Sequence, residues 1–238
     1  GFGCVTYKGN GTTGQTISGV GFQPDLVWLK NRTDGDSHFL YDAVRGAKNY
    51  LQPDGEGAQA TTNQMTAFNP DGFTVDEDGG SATNDDGDNF VAWCWNMGGT
   101  NVANTTGSIN STVRANPTYG QSIVSYTGNA TSGATIGHGL SKAPEFWTVK
   151  RRNSAGDDWN SYHKGIASDA ETDVLALDAT DTPADDATYW NDTAPTSSVF
   201  TVGTANGVNK STKSYIAYVF APVQGYSKFG GYTGNGNA

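Results

Sequence analysis

A short signature returns three times along this chain, and it constrains the fold more than any other feature. Tyr7-Lys8-Gly9-Asn10-Gly11 recurs as Tyr126-Thr127-Gly128-Asn129-Ala130 and again as Tyr232-Thr233-Gly234-Asn235-Gly236. The first two copies each open a matching series of segments. Ile17 matches Ile136, and Pro24-Asp25-Leu26-Val27-Trp28-Leu29-Lys30 matches Pro144-Glu145-Phe146-Trp147-Thr148-Val149-Lys150. Gly72-Phe73-Thr74-Val75 matches Val199-Phe200-Thr201-Val202, and Phe90-Val91-Ala92-Trp93 matches Tyr215-Ile216-Ala217-Tyr218. The spacing drifts by only a few residues between anchors, as loop insertions do in a duplicated domain. The expectation is two copies of one fold in tandem.

Which fold follows from residue type and period. Charged residues make up only 16% of the 238 positions, Gly is abundant at 32, and no stretch carries the spacing of a long amphipathic helix. Aromatic and β-branched residues fall instead in short runs between turn formers, the pattern of an all-β protein. Six Trp, eleven Tyr and ten Phe supply enough core material to exclude a disordered chain.

The first copy reads as strands near 3–7, 15–18, 25–31, 39–42, 49–51, 65–68, 73–76 and 89–96. The second reads as strands near 122–126, 134–136, 145–151, 159–163, 174–177, 188–190, 198–202 and 214–220. Seven or eight short strands in roughly a hundred residues is a sandwich or jelly-roll signature. The expected organisation is a β-sandwich over 1–99, a linker over 100–119, a second sandwich over 120–224, and a fragment over 225–238. The strand at 25–31 and Tyr215-Ile216-Ala217-Tyr218-Val219-Phe220 are apolar on both faces. One face suits the module's own core, and the other a loop or a neighbour. Ser108–Val113 reads as a strand-like piece of the linker lying along one module, wedged between the two. The 225–238 fragment begins a third copy and then stops. It reads either as an excerpt from a longer array or as an orphan strand, carrying Phe229, Gly231 and Tyr232, that completes a sheet in an adjacent subunit.

Charge narrows the partners. A net charge of −10 argues against nucleic acid and anionic membranes, and Lys150-Arg151-Arg152 is too short a basic run to reverse that. No apolar run approaches a membrane span. Cys4 and Cys94 fall where the second copy has Ile123 and Val219, so both read as core positions holding free thiols rather than metal ligands, with a bond between them left open if the first and last strands of the module are neighbours.

Chemistry-bearing residues are scattered. His138 matches an apolar place in the first copy, and His163, near Asp157 and Asp158, matches Asp42. No nucleophile, base and orienter converge, so the chain reads as no enzyme, with no catalytic residue and no cofactor. Asp76-Glu77-Asp78-Gly79 and Asn84-Asp85-Asp86-Gly87-Asp88-Asn89 offer carboxylates of the kind calcium prefers, although the EF-hand order is absent and a solvated, turn-rich loop is the better reading. Trp159, Tyr162, Tyr189 and Trp190 offer stacking platforms for a sugar ring, or else fill a Leu-poor core.

The string Gly107-Ser108-Ile109 through Thr112-Val113-Arg114-Ala115-Asn116, followed by Ser122-Ile123-Val124-Ser125-Tyr126-Thr127-Gly128, resembles tandem-repeat structural and tail proteins of tailed bacteriophages, marine and cyanobacterial ones especially. Ile136-Gly137-His138-Gly139-Leu140, Val149-Lys150-Arg151-Arg152 and Pro195-Thr196-Ser197-Ser198-Val199-Phe200 continue the likeness. The resemblance implies a virion structural protein, a tail fibre or capsid-surface appendage, assembled in host cytoplasm and exposed to the extracellular medium. Its implied partners are its own copies or other virion proteins. A host-glycan receptor module is the first alternative, and a glycan-degrading tailspike using Asp157, Asp158 and Asp186 the second.

Overall fold

A computed structural model describes residues 1–77 and 82–236. Asp78 and Gly79 of the first acidic loop lie outside the described residues. The first part of the chain forms β1 (Phe2–Lys8), β2 (Gln15–Ser18), β3 (Leu26–Asn31), β4 (Phe39–Asp42), β5 (Asn49–Leu51), β6 (Ala60–Thr61), β7 (Met65–Asn69), β8 (Gly72–Val75) and β9 (Asn89–Trp95). These make a six-stranded sheet, β1-β9-β3-β4-β5-β6, and a three-stranded sheet, β2-β8-β7.

The rest forms β10 (Val102–Asn104), β11 (Ser111–Asn116), β12 (Gln121–Thr127), β13 (Ala134–Gly137), β14 (Phe146–Arg151), β15 (Asn160–His163), β16 (Asp173–Ala176), β17 (Ala184–Asp185), the helical turn α1 (Ala187–Trp190), β18 (Val199–Val202), the turn α2 (Asn206–Asn209) and β19 (Ser214–Phe220). The large sheet here runs β10-β11-β12-β19-β14-β15-β16-β17, and β13 pairs with β18. The fold is all-β and sandwich-like.

Period-two alternation explains the layering. On β3, Val27 and Leu29 enter a core with Ile17, Phe73 and Val75 of the small sheet, while Leu26 and Trp28 face away from it. On β19, Tyr215, Ala217 and Val219 pack with Ile136, Phe200 and Val202, while Ile216 and Tyr218 face away. The residues facing away meet each other. Leu26, Leu40, Leu51 and Met97 pack with Ile123, Trp159, Ile216 and Tyr218 in a third core. Each large sheet therefore has a small sheet on one face and the other large sheet on its second face. The neighbour expected behind the doubly apolar strands is the other half of the same chain.

Three local expectations change. Thr188–Trp190 reads as a strand but lies in α1, because Asp186 accepts from the Thr188 N–H at 2.9 Å and caps the turn, and Asn191 closes it in the left-handed region at φ 56°. The stretch 100–119 is more than a linker: β10 and β11 are strands of the second large sheet. Of the thiols, Cys94 is buried as expected but Cys4 is exposed, because β1 is the edge strand of its sheet.

Candidate functional site

The recurring signature does a specific mechanical job. Tyr7 donates to the Thr83 carbonyl at 2.6 Å, and Asn84, fully buried, accepts from the Asn10 N–H at 3.1 Å and donates to the Thr12 carbonyl at 2.8 Å. In the second half Tyr126 donates to the Val208 carbonyl at 2.7 Å, and buried Asn209 accepts from the Asn129 N–H at 2.9 Å and donates to the Thr131 carbonyl at 2.9 Å. The intervening Gly is required by space. A Cβ on Gly9 would stand 2.0 Å from the Asp85 carbonyl oxygen, and one on Gly128 would stand 2.4 Å from that of Lys210. The third copy makes no such clamp with its tyrosine, since Tyr232 is 96% exposed.

An aromatic surface lies open where the two large sheets part. A cleft of about 390 Å³ is lined by Phe2, Trp95, Tyr119, Gln121, Phe146, Phe220, Tyr226, Ser227 and Phe229. A second hollow of about 130 Å³, lined by Trp28, Leu177 and Tyr218 among others, shares Trp95, Phe146 and Phe220 with it. Phe2, Leu177 and Tyr226 are three of the few large apolar side chains left exposed. Phe229 seals one side by packing on Phe146, Phe220 and His163, at ring separations of 6.3, 6.5 and 6.5 Å. The lining is aromatic with few polar groups, so it suits a flat apolar surface better than a polar small molecule.

Charge gathers away from this cleft. Lys150 is fully buried, donates to the Asp157 and Gly55 carbonyls, and sits 5.8 Å from the Trp159 ring centre. Burial lowers its pKa, and the carboxylates of Asp178, Asp157, Asp158 and Glu56 oppose that. Burial, together with Asp178 and Glu56, raises the pKa of Asp158. Arg151 pairs with Asp157, and Arg152 donates to Gln59 at 2.8 Å. The basic run thus fastens the loop after β14 and ties it to the loop before β6. Lys30 does the equivalent work on β3, donating to the Asp34 and Asp36 carbonyls at 3.1 and 2.6 Å.

The acidic loop contributes one cluster. Carboxylate oxygens of Asp34, Asp85 and Asp88 lie within 4.8 Å of one another, and Asn31 donates to Asp88 at 2.8 Å. Three carboxylates are half the smallest ligand set that calcium takes.

Of the sugar-stacking candidates, Tyr162, Tyr189 and Trp190 gather in and against the second half's core, and Trp159 lies apart from them. Trp159 is enclosed between the large sheets, its indole N–H donating to the Gln52 carbonyl at 2.8 Å. Tyr162 stacks on Trp147 at 3.9 Å, and Trp190 meets the same ring edge-on at 5.2 Å, both inside the second half's core. Only Tyr189 keeps partial exposure. Asp157 serves Arg151 and Asp186 caps α1, so these two stand in different structures. The nitrogen Nδ1 of His163 accepts from the Gly165 N–H at 3.0 Å, and its ring lies against Phe146 and Phe229. Of the tail residues, Phe229 is half-buried as described, Gly231 lies beside Gly165, and Tyr232 projects outward. Sequence reasoning missed the seam aromatics. The available signal was that Trp95 and Phe220 end β9 and β19 in matching places, on the face away from either sandwich core.

A family model described as a domain of unknown function, DUF7483, matches residues 2–238. No curated protein and no solved structure matches the chain.

Proposed function

We propose, for a chain that belongs to the DUF7483 family, a structural and not a catalytic role: a virion component built from two tandem β-sandwich modules of one duplicated segment. The modules are 1–99 and 120–224, joined by 100–119, with 225–238 as the start of a third or an exchanged strand. The observation that carries the duplication is register. Phe2↔Trp95 through Lys8↔Asn89 on β1 and β9 corresponds pair by pair to Gln121↔Phe220 through Thr127↔Ser214 on β12 and β19. Leu26↔Trp95 on β3 corresponds to Phe146↔Phe220 on β14, and Ile17↔Phe73 on β2 to Ile136↔Phe200 on β13. A one-residue slip would turn every side chain to the wrong face, so agreement across three strand pairs supports common descent.

A mechanical role agrees with this construction. The residues that repeat across the halves are the clamp and the strand faces. Lys150, Arg151, Arg152, Asp157 and Asp186 hold loops and turns. Three fused cores resist separation of the halves, which suits a load-bearing appendage. The placement in a tail fibre or capsid-surface appendage rests on the phage-protein resemblance. Gold-labelled antibody against the folded chain, applied to purified particles encoded with it, tests that placement. Decoration of an appendage is the expected result, and absence of the chain from the particles by mass spectrometry overturns it.

A receptor role for the seam cleft is the second reading, favoured by the exposed rings of Phe2 and Tyr226 beside Gln121. A glycan array read with the intact chain and with Tyr226→Ala distinguishes it, since binding at this cleft must weaken with the ring removed.

A further inference from the structure

Tyr41 and Tyr162 hold matching places, yet only one of the two hydroxyls is satisfied by the protein. Tyr41 lies opposite Val27 of β3 and Tyr162 opposite Trp147 of β14, while Val27 and Trp147 lie opposite Cys94 and Val219 of the closing strands. The Tyr41 hydroxyl donates to the Gln64 amide oxygen at 3.4 Å. Gln64 has its match in Tyr189, because the Asp76 N–H donates to the Gln64 carbonyl and the Gly203 N–H to that of Tyr189. The second half thus has a ring where the first has an amide. Tyr162 is 4% exposed, with its ring stacked on Trp147 at 3.9 Å, and its hydroxyl has no hydrogen-bond partner among the described residues. A neighbouring carboxylate differs in the same way. Asp25 and Glu145 match, since their N–H groups donate to the Trp95 and Phe220 carbonyls and their own carbonyls accept from Ala43 and Lys164. Asp25 is buried, held by Arg114 and by the Met97 N–H at 2.9 Å. In the place of Met97 the second half has Pro222, which carries no N–H, and the Glu145 carboxylate meets Lys164 at 2.7 Å instead.

Both groups open onto one hollow. A cavity of about 380 Å³ is lined by Glu145, Tyr162, Lys164 and Glu171, with Pro144 and Pro195 among its walls. Glu171 stands on the turn Ala170–Thr172 and has no ion pair among the described residues. Burial, then the carboxylates of Glu171 and Glu145, push the Tyr162 pKa up to about 12, so the phenol is neutral at pH 7. Two carboxylates against the one ammonium of Lys164, whose side chain is 64% exposed, leave the lining with one negative charge in excess. We propose that this hollow binds an alkylammonium group, that of a lysine side chain or of a free amine, with Glu171 and Glu145 neutralising the cation and the Tyr162 hydroxyl accepting one of its hydrogens. Charge decides against an anion. Ring faces decide against a sugar, because Tyr162 gives one face to Trp147 and its slight exposure leaves no other on which a pyranose could stack. An ammonium needs only converging acceptors, and the prolines can flank its alkyl stem. Lys164 already places one such group at the rim.

The test uses the whole chain at pH 7 and low salt, with n-butylamine and Nα-acetyl-lysine N-methylamide as probes and methyl glucoside as the neutral comparison. Two-dimensional NMR follows the backbone amides through each titration. Both amines are expected to move the amides of Glu145, Lys164 and Glu171. Equal binding of the two assigns the hollow to a free amine, and tighter binding of the lysine derivative assigns it to a protein lysine. Glu171→Gln is expected to weaken binding about tenfold, the scale of a charged hydrogen bond, and Tyr162→Phe, which keeps the stacked ring, about fivefold. Lys164→Met is expected to strengthen it about threefold by freeing Glu145 from an exposed ion pair. Tyr41→Phe should leave it unchanged. Absence of shifts with both amines overturns the proposal. So does methyl glucoside binding at the same amides, or amine binding that neither Glu171→Gln nor Lys164→Met alters. Those last two exchanges are at the surface, so the test holds even where Tyr162→Phe folds poorly. No outcome bears on the structural role proposed above, which does not require an occupied hollow.

Discussion

Tyr218 on β19 donates its phenolic hydrogen to Asp42 at the end of β4, 2.7 Å away, across the seam between the halves. Arg45 pairs with the same carboxylate and donates to the Tyr218 oxygen at 3.1 Å, and all three groups are buried. Asp42 also accepts from the Val44 and Arg45 N–H groups, so it organises its own turn as well as the seam.

Removing one member of such a network costs more than the bond itself, because the rest stay buried. Tyr218→Phe is expected to destabilise the chain by about 1–3 kcal/mol, the cost of an unsatisfied buried polar partner. Asp42→Ala strands the Arg45 cation and is expected to cost about 3–5 kcal/mol. Urea unfolding of both single variants and the double variant gives the coupling between them. Losses that simply add would mean the seam network does not act as a unit.

Asn84 and Asn209 give a second comparison. Each ties the loop before a closing strand to the turn after an opening one, through both ends of its amide. Alanine at either place removes these amide hydrogen bonds to turn backbone of exposed residues, at about 0.5–1.5 kcal/mol each. The prediction is that Asn84→Ala and Asn209→Ala shift the denaturation midpoint by comparable amounts. A neutral effect in one half and a large one in the other would break the equivalence of the halves.

His138 makes stability depend on pH. It is fully buried, its Nδ1 accepting from the Leu140 N–H at 3.1 Å and its Nε2 lying 3.2 Å from the Thr196 carbonyl oxygen. Burial lowers its pKa below the ordinary 6.5, and the hydrogen bond to Thr196 only partly opposes this. The unfolded chain therefore takes up a proton at higher pH than the folded one. The contribution of neutral His138 is complete above pH 6.5 and is lost as pH falls below it, until the lowered folded value is reached. Unfolding free energies measured from pH 7.5 to 5 should decline for the native chain and more gently for His138→Gln. Parallel curves would show that other groups set the acid response.

How far the sequence exposed this arrangement depended on whether the signal was local. The doubly apolar runs of β3 and β19 announced central strands, because alternation and residue type are properties of the strand itself. The clamp was visible as a repeat, but its purpose was not, since Asn84 and Asn209 lie more than seventy residues from the motifs they hold. Trp159 and Trp190 read as core before platforms, but only the opposite sheet decides which. α1 escaped notice because Thr188-Tyr189-Trp190 has strand propensity, and a single Asp186 cap overrides it. The seam cleft needs Trp95 and Phe220 from two halves at once, a relationship that no window of sequence contains.

The contrast between an edge strand and a central one governs the thiols. Cys94 faces the core of the first half, and burial pushes its pKa up to about 12. Cys4 lies opposite Trp93, one register step away from the Gly3↔Cys94 pair, so the two sulfurs leave the sheet on opposite faces. A disulfide between them would require β1 to invert, and both are free. Because the thiolate is the reactive form and Cys94 is both enclosed and held protonated, iodoacetamide at pH 8 should alkylate Cys4 alone on the folded chain and both residues in guanidinium. Peptide mapping by mass spectrometry reads the result directly. Equal labelling of the two thiols in native buffer would mean that β1 leaves the sheet on the labelling timescale.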